Sequence, residues 1–139
     1  MKRILSLCLA AMLCCLPAAA QLDAATMAKR QARKNLVIRE WNTDAKSNVR
    51  WLDHVTTYND KGEKIEEIEY NQYGQIWRET YEYDANGKIS VNTRYDEKNK
   101  VSLVRKYEYN EDLTKKRQYN YLPNGQLQTV KTFEYSYSD

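Results

Sequence analysis

The placement of the glycines constrains this chain more than any other feature of its sequence. The 139 residues include four glycines, and each stands four residues after a tyrosine. A three-residue hairpin loop, built as a type I turn followed by a bulge, needs one residue in the left-handed region, where glycine has no steric penalty. Asparagine is the best ordinary substitute there. The predicted turn residues are Gly62, Gly74, Gly87, Asn99 and Gly125.

The tyrosines before these turns open six similar units, and successive opening tyrosines are 12 to 14 residues apart. They are Tyr58, Tyr70, Tyr83, Tyr95, Tyr109 and Tyr121. Turn signals at this spacing, separated by alternating residues that favour strands, predict an all-β fold. Two further strands are expected over residues 36–41 and 49–58. The sequence therefore predicts an antiparallel meander of about eight strands made of tandem hairpins.

The turn geometry also predicts which residues face each other across the strands. The expected pairs are Tyr83 with Ile89, Tyr95 with Val101 and Tyr121 with Leu127. Leu113 stands where glycine is expected, so we expect an irregular turn in that unit. The first unit has one residue more than the others, and we expect a β-bulge there to restore the register.

Aliphatic residues are too scarce for a thick core. Central positions of the predicted strands carry Arg105, Lys115, Arg117 and Lys131. Charged groups cannot lie unpaired in a dry interior, although their stems can cover aromatic rings. We therefore expect a thin sheet, either a single layer or a half-barrel. Its Tyr-x-Tyr pairs, at 81/83, 107/109, 119/121 and 135/137, should form one strip of phenol rings.

The first twenty residues have the three parts of a signal peptide. Lys2 and Arg3 precede an uncharged apolar stretch over residues 4–16, and residues 18–20 are all alanine, so we expect cleavage before Gln21. All three cysteines lie in this leader, which excludes disulfides from the mature protein. The predicted divisions are a signal peptide over 1–20, a basic N-terminal arm or short helix over 21–35, and an antiparallel β-repeat domain over 36–139. We expect export to the periplasm or the cell surface.

The charge balance gives no long-range attraction to nucleic acid or to anionic membranes. The formal net charge of +3 falls to about +1 once the leader is removed. A short basic cluster follows the leader, and we interpret it as a solvated segment. It comprises Lys29, Arg30, Arg33 and Lys34. No nucleic-acid partner and no stable membrane insertion are expected.

The sequence offers little for catalysis. His54 is the one histidine, and its neighbour Asp53 should point to the opposite face of a strand, so we expect no catalytic pair. Residues 84–87 have the beginning of a calcium loop but lack its acidic ligand downstream. Glu79 and Glu82 are candidate hydrolase carboxylates, as any two glutamates of so acidic a sheet would be. We predict a protein that is not an enzyme and has no cofactor or metal site.

The aromatic residues are the best candidates for function. Exposed rings beyond structural need mark binding sites, so we expect a surface for a glycan or protein ligand. The candidates are Trp41, Trp51, Trp77, Tyr81, Tyr83, Tyr107 and Tyr109. The alternative is that these rings only hold a thin sheet together. A second hypothesis is an envelope structural or assembly protein, whose open sheet edges pair with partners or with other copies as a homo-oligomer.

The repeated unit also carries a resemblance to known families. It reads Tyr, then Asp or Asn, two further residues, Gly, Lys or Gln, and Ile or Leu, over roughly residues 58–139. This pattern resembles the YD repeats of bacterial surface and toxin-shell proteins and the hairpin repeats of MORN-like proteins. With its leader, the chain is also similar to small secreted proteins of unknown function of the Bacteroides type. The resemblance implies a non-catalytic scaffold and transfers no active site.

Overall fold

The computed structural model describes residues 21–138, and the predicted signal peptide with its three cysteines lies outside the described residues. One helix is followed by eight strands. The elements are α1 (Ala24–Ala32), β1 (Val37–Thr43), β2 (Arg50–Tyr58), β3 (Lys64–Asn71), β4 (Gly74–Tyr83), β5 (Ile89–Tyr95), β6 (Val101–Tyr109), β7 (Lys115–Tyr121) and β8 (Leu127–Thr132). Within residues 21–138, no helix is long and apolar enough to cross a membrane.

The strands form one open antiparallel sheet. Each strand pairs with its neighbours in the sequence, so that β1 and β8 are the two edges. The predicted antiparallel meander of about eight strands is confirmed. The cross-strand pairs expected from the turn geometry are also present: Tyr83 with Ile89, Tyr95 with Val101 and Tyr121 with Leu127.

Five hairpin turns share one conformation. They are centred on Gly62, Gly87, Asn99, Leu113 and Gly125, which all have φ between 59° and 84°. The N–H of each of these residues donates to the carbonyl three residues earlier. The irregular turn expected at Leu113 is therefore wrong. Asp112 accepts hydrogen bonds from the N–H and the hydroxyl of Thr114, and these contacts fix the turn without a glycine.

Among the six repeat units, the β3–β4 turn is the exception. Gly74 has a φ of 134° and pairs with Asn71 as a strand residue, which leaves Gln72 and Tyr73 as a two-residue loop. Asn71 Oδ1 accepts the N–H of Tyr73 at 2.8 Å, a side-chain contact that supports a tighter turn. The three-residue loop expected in this unit is therefore not formed, and Tyr73 lies at the tip.

A register shift occurs in every strand pair, not only in the first unit as predicted. From β2–β3 onward, each shift lies beside a repeat tyrosine. At each shift one strand has an extra residue, which reverses which alternate positions share a face. Tyr107 therefore pairs with Gln118 rather than with Arg117. The expected single strip of phenol rings is wrong, because Tyr81 and Tyr107 lie on one face and Tyr119 on the other.

Three tyrosine hydroxyls join the strands beside these shifts. The hydrogen bonds run from Tyr83 to the carbonyl of Lys64 at 2.9 Å, from Tyr109 to that of Ile89 at 2.7 Å, and from Tyr135 to that of Lys115 at 2.8 Å. Each acceptor is the first residue of an odd-numbered strand. The tyrosines therefore connect neighbouring strands where the regular ladder is interrupted.

The sheet has no hydrophobic core among its described residues. The buried side chains are those of Thr56, Glu63 and Asn92, and all three are polar. A single layer of this kind is held by its backbone ladder and by cross-strand side-chain pairs, each worth about 0.2–1 kcal/mol. Polar contacts on the two faces, rather than packing, therefore position the candidate functional residues.

Helix α1 packs across hairpin turns at one end of the sheet. The guanidinium of Arg30 pairs with Glu63 at 3.0 Å and donates to the carbonyl of Gly87. Arg33 lies 5.3 Å from the centre of the Tyr58 ring. The interpretation of the basic cluster as a solvated segment is wrong for Arg30, because an ion pair and a carbonyl bind it to two turns.

Candidate functional site

Glu79 is the centre of a polar cluster on one face of the sheet. We call this face, defined by Glu67, Glu79, Asn92, Arg94 and Arg105, the charged face. Arg94 and Arg105 each approach Glu79 Oε1 at 3.2 Å. Its second oxygen accepts a hydrogen bond from Asn92 at 3.2 Å and lies 3.0 Å from the Tyr81 hydroxyl, whose single proton it shares with Glu67. The carboxylate of Glu79 is therefore fully engaged by the protein's own donors.

Glu67 pairs with Glu79 across the strands, and its carboxylate is contacted by a second set of donors. They are Lys64 Nζ at 2.7 Å, the Tyr81 hydroxyl at 2.8 Å and His54 Nε2 at 2.9 Å. Burial raises the pKa of Glu67, but the hydrogen bonds from Lys64 and Tyr81 outweigh it and hold that pKa below its ordinary value. Burial and the two neighbouring carboxylates raise the pKa of Tyr81. This arrangement stabilises an ionised carboxylate beside a neutral phenol.

The residues that sequence reasoning weighed for catalysis do not come together. Glu79 lies on the charged face, whereas Glu82 lies three positions further along β4 and on the opposite face. His54 contacts Glu67, and Asp53 accepts a hydrogen bond from Asn42 at 2.7 Å instead. Across residues 21–138, no group of three His, Asp or Glu side chains is arranged to hold a metal ion.

Trp77 and Tyr81, two of the predicted binding residues, lie against charged or polar side chains of the same chain. The guanidinium of Arg94 is 4.7 Å from the centre of the Trp77 ring, and the His54 ring meets Trp77 edge to face at 6.1 Å. Lys64 Nζ is 4.7 Å from the centre of the Tyr81 ring. A ligand that stacked on these rings would have to displace an existing cation–π contact.

Tyr83, Tyr107 and Tyr109 are engaged in the same way. Their rings lie near Arg30, Lys115 and Lys88 respectively, at 4.9 to 5.4 Å. Burial, with smaller effects from nearby Tyr107, Asp84 and Tyr83, raises the pKa of Tyr109 to about 12. Each of these rings therefore already contacts a cation of the same chain.

The two remaining predicted residues lie towards the β1 side of the sheet. Trp41, on the edge strand, is 48% exposed and has the guanidinium of Arg50 4.3 Å from its ring centre. Trp51 is the second residue of β2, is half-buried, and borders an open cleft of about 480 Å³. The structure therefore places Trp51 in a concave site.

This cleft opens at the end of the sheet opposite α1, between the β1–β2 loop and the β3–β4 turn. Its walls include Asp44, Val49, Trp51, Asn71, Gln72 and Tyr73. Sequence reasoning missed Tyr73, although a signal was present. In the other units the residue before the turn glycine or its substitute is Lys61, Asn86, Lys98, Asp112 or Asn124, and Tyr73 alone is aromatic there.

Known proteins do not guide the choice between these surfaces. No family model matches the chain, and neither a curated protein nor a solved structure matches it. Function is therefore inferred from the geometry of the charged face, the cleft and the sheet edges.

Proposed function

We propose that this protein is an exported, non-catalytic β-repeat module that pairs its sheet edges with strands of other protein chains. The supporting observation is where the exposed apolar side chains lie. In the six inner strands, β2 to β7, the exposed large apolar side chains are those of Ile65 and Ile76. At the two edges and in the segments next to them they are those of Leu36, Val37, Ile38, Trp41, Leu127, Val130, Tyr135 and Tyr137.

The edge backbones support the same proposal. Every residue of β1 and of β8 is exposed. The N–H of Phe133 donates to the carbonyl of Lys116, so in an antiparallel ladder alternate residues of β8, including Lys131, direct their backbone groups to β7. Val130 and Thr132 then direct their N–H and C=O groups away from the sheet. Unpaired groups in this arrangement are what strand addition uses.

The strand order favours another copy of this chain as the partner. Because eight strands alternate in direction, β8 runs antiparallel to β1. A second copy in the same orientation can therefore add its β1 beside β8 and continue the meander in a head-to-tail manner. The edge charges are compatible, since β1 carries Glu40 and β8 carries Lys131 on the charged face.

The proposal also includes export of the protein and its likeness to known repeat families. The leader over residues 1–20 supports a periplasmic or surface location, where the protein would join copies or partners in the envelope. The hairpin repeat supports kinship with secreted proteins that carry YD-like or MORN-like repeats. The saturated carboxylates of Glu67 and Glu79 support a role in binding rather than catalysis.

Sedimentation velocity of the mature protein over a wide concentration range tests the proposal. The wild type should show a sedimentation coefficient that rises with concentration. Val130→Pro removes an outward N–H and an exposed apolar side chain without breaking the ladder to β7, so it should sediment as a monomer with an unchanged far-ultraviolet spectrum.

Ile76→Thr is the matched control, because Ile76 is 40% exposed and Val130 46% exposed, but Ile76 lies in an inner strand. This variant should associate as the wild type does. A wild type that stays monomeric at every concentration, or equal association of the Val130→Pro variant, would contradict strand addition at β8.

A further inference from the structure

We infer that the cleft between the β1–β2 loop and the β3–β4 turn binds a neutral carbohydrate chain, with Trp51 and Tyr73 as its stacking rings. The cleft lies at the loop end of β2 and β3 rather than along an edge strand. The inference therefore does not depend on strand addition. It places sugar recognition in a different part of the molecule from the aromatic residues of the charged face.

The side chain of Tyr73 makes no contact that indicates a structural role. It is 87% exposed at the tip of the two-residue loop, where its backbone N–H is bound by Asn71. Among residues 21–138, no hydrogen bond involves its hydroxyl and no cation lies over its ring. Exposing a large ring to water is unfavourable, and such rings commonly serve in binding. Its position in the one turn that departs from the repeat supports the same reading.

Trp51 and Val49 supply the apolar floor of the cleft. Trp51 is half-buried, and within the described part of the chain its indole N–H has no hydrogen-bond acceptor. Val49 is 52% exposed beside it. A tryptophan N–H usually has a polar partner, so this donor is available to a ligand. A ring, an aliphatic side chain and a free donor together suit the C–H face and hydroxyls of a pyranose.

The polar groups of the cleft are fixed before any ligand arrives. Asp44 Oδ1 accepts the N–H groups of Ser47 at 2.7 Å and Lys46 at 3.0 Å. These hydrogen bonds, led by that from Ser47, hold the pKa of Asp44 below its ordinary value. Its second oxygen has no partner in residues 21–138 and can accept hydroxyl groups. The side-chain amides of Asn71 and Gln72 provide donors on the opposite wall.

The charges of the cleft favour a neutral ligand. Asp44 is the one charged side chain among the residues that line it, so a uronic acid or a phosphorylated sugar would meet a like charge. A quaternary ammonium ligand prefers a cage of aromatic rings, whereas this cleft has two rings and several hydroxyl and amide groups. Hydroxyl-rich neutral sugars match this composition best.

Binding of defined oligosaccharides to the mature protein tests the inference. Neutral gluco-, manno-, galacto- and xylo-oligosaccharides would be titrated by calorimetry and by tryptophan fluorescence, with uronic-acid oligosaccharides and choline as comparison ligands. At least one neutral family should bind and change the fluorescence. Trp51→Ala and Tyr73→Ala should each weaken that binding by at least about tenfold, whereas Tyr73→Phe should retain it.

Exposed aromatic residues elsewhere provide the controls. Tyr137→Ala removes a ring that is 97% exposed beyond β8, and Trp41→Ala removes one from the edge strand, so both should bind as the wild type does. The Val130→Pro variant should also bind normally, which separates this site from the sheet edge. Absence of binding to every neutral family, binding confined to uronic acids or choline, or binding that Tyr73→Ala leaves unchanged would each overturn the assignment.

Discussion

The inner strands and the edge strands of this sheet differ in how their side chains are satisfied. On the charged face, Glu79 meets two arginines, and rings such as Trp77 lie beneath cations. At the edges, apolar side chains such as Val37 and Val130 are exposed. A single-layer sheet has no core in which to bury apolar surface, so the side chains of its inner strands are paired by polar contacts. The surfaces left for partners are therefore its edges and its turns.

The largest difference in the free energy of unfolding is expected between alanine variants of two turn glycines. A Cβ at Gly62 would lie 1.8 Å from the carbonyl oxygen of Arg30, whereas a Cβ at Gly125 would have no atom within 4 Å. Both positions have positive φ, which costs alanine about 1 kcal/mol. Gly62→Ala should therefore lower the free energy of unfolding by about 3 kcal/mol and release α1, and Gly125→Ala by about 1 kcal/mol. Urea unfolding measures both, and equal losses would show that α1 does not pack on this turn.

The next largest difference in stability is expected between alanine variants of two glutamates. The side chain of Glu79 is 12% exposed and serves two arginines, whereas Glu108 and its partner Arg117 are both 47% exposed and 3.8 Å apart. Glu79→Ala should destabilise the protein by about 2 kcal/mol, because it leaves Arg94 and Arg105 close together without a counter-charge. Glu108→Ala should cost less than about 0.5 kcal/mol. Similar unfolding midpoints for the two variants would contradict a stabilising network on the charged face.

The acid dependence of stability tests the same network at Glu67. Its pKa is lower in the folded protein than its ordinary value of 4.5, so its contribution is present above that pH and is lost as the pH falls through the folded value. Glu67→Gln should cost about 1 kcal/mol at neutral pH, after allowance for solvent screening, and little at low pH. Urea midpoints measured from neutral pH to about pH 3 test this. Glu111→Gln, in an exposed outer turn, should retain the wild-type profile, and an equally steep profile for Glu67→Gln would refute the prediction.

Local features of the fold were predictable from sequence because turn chemistry acts over a few residues. A left-handed residue such as Gly87 or Asn99 determines where a hairpin closes, and hence that Tyr83 faces Ile89. Leu113 was misjudged because the contacts of Asp112 and Thr114 replace the glycine there. The assignment of faces failed for a different reason. A bulge beside each repeat tyrosine shifts the alternation by one residue, and the extra residue lies on the partner strand, so the alternation within a single strand does not show it.

The candidate site was predictable only in part, because it depends on contacts between distant segments. Sequence reasoning selected Trp51 but could not place it beside Tyr73, since β3 and its turn must first pair with β2. The contact of Arg30 with Glu63 and Gly87 could not be predicted for the same reason, because it joins α1 to two turns that are distant in the sequence. Composition marks aromatic residues as candidates, but only the structure distinguishes rings beneath cations from rings in a cleft.

The smallest expected difference separates two tyrosines with the same hydrogen bond. Tyr109 donates to Ile89 in the inner sheet, and Tyr135 donates to Lys115 beside the edge, where it is 55% exposed. Tyr109→Phe should cost about 1 kcal/mol and Tyr135→Phe less than about 0.5 kcal/mol, because water replaces an exposed partner easily. Since the pKa of Tyr109 is raised to about 12, its contribution is present below its ordinary value of 10 and is lost as the pH rises towards 12. Alkaline unfolding of the wild type should therefore be steeper than that of Tyr109→Phe. If the two variants behave alike, the hydroxyls act equally at the centre and the edge, and the contrast between these regions lies in their charged side chains alone.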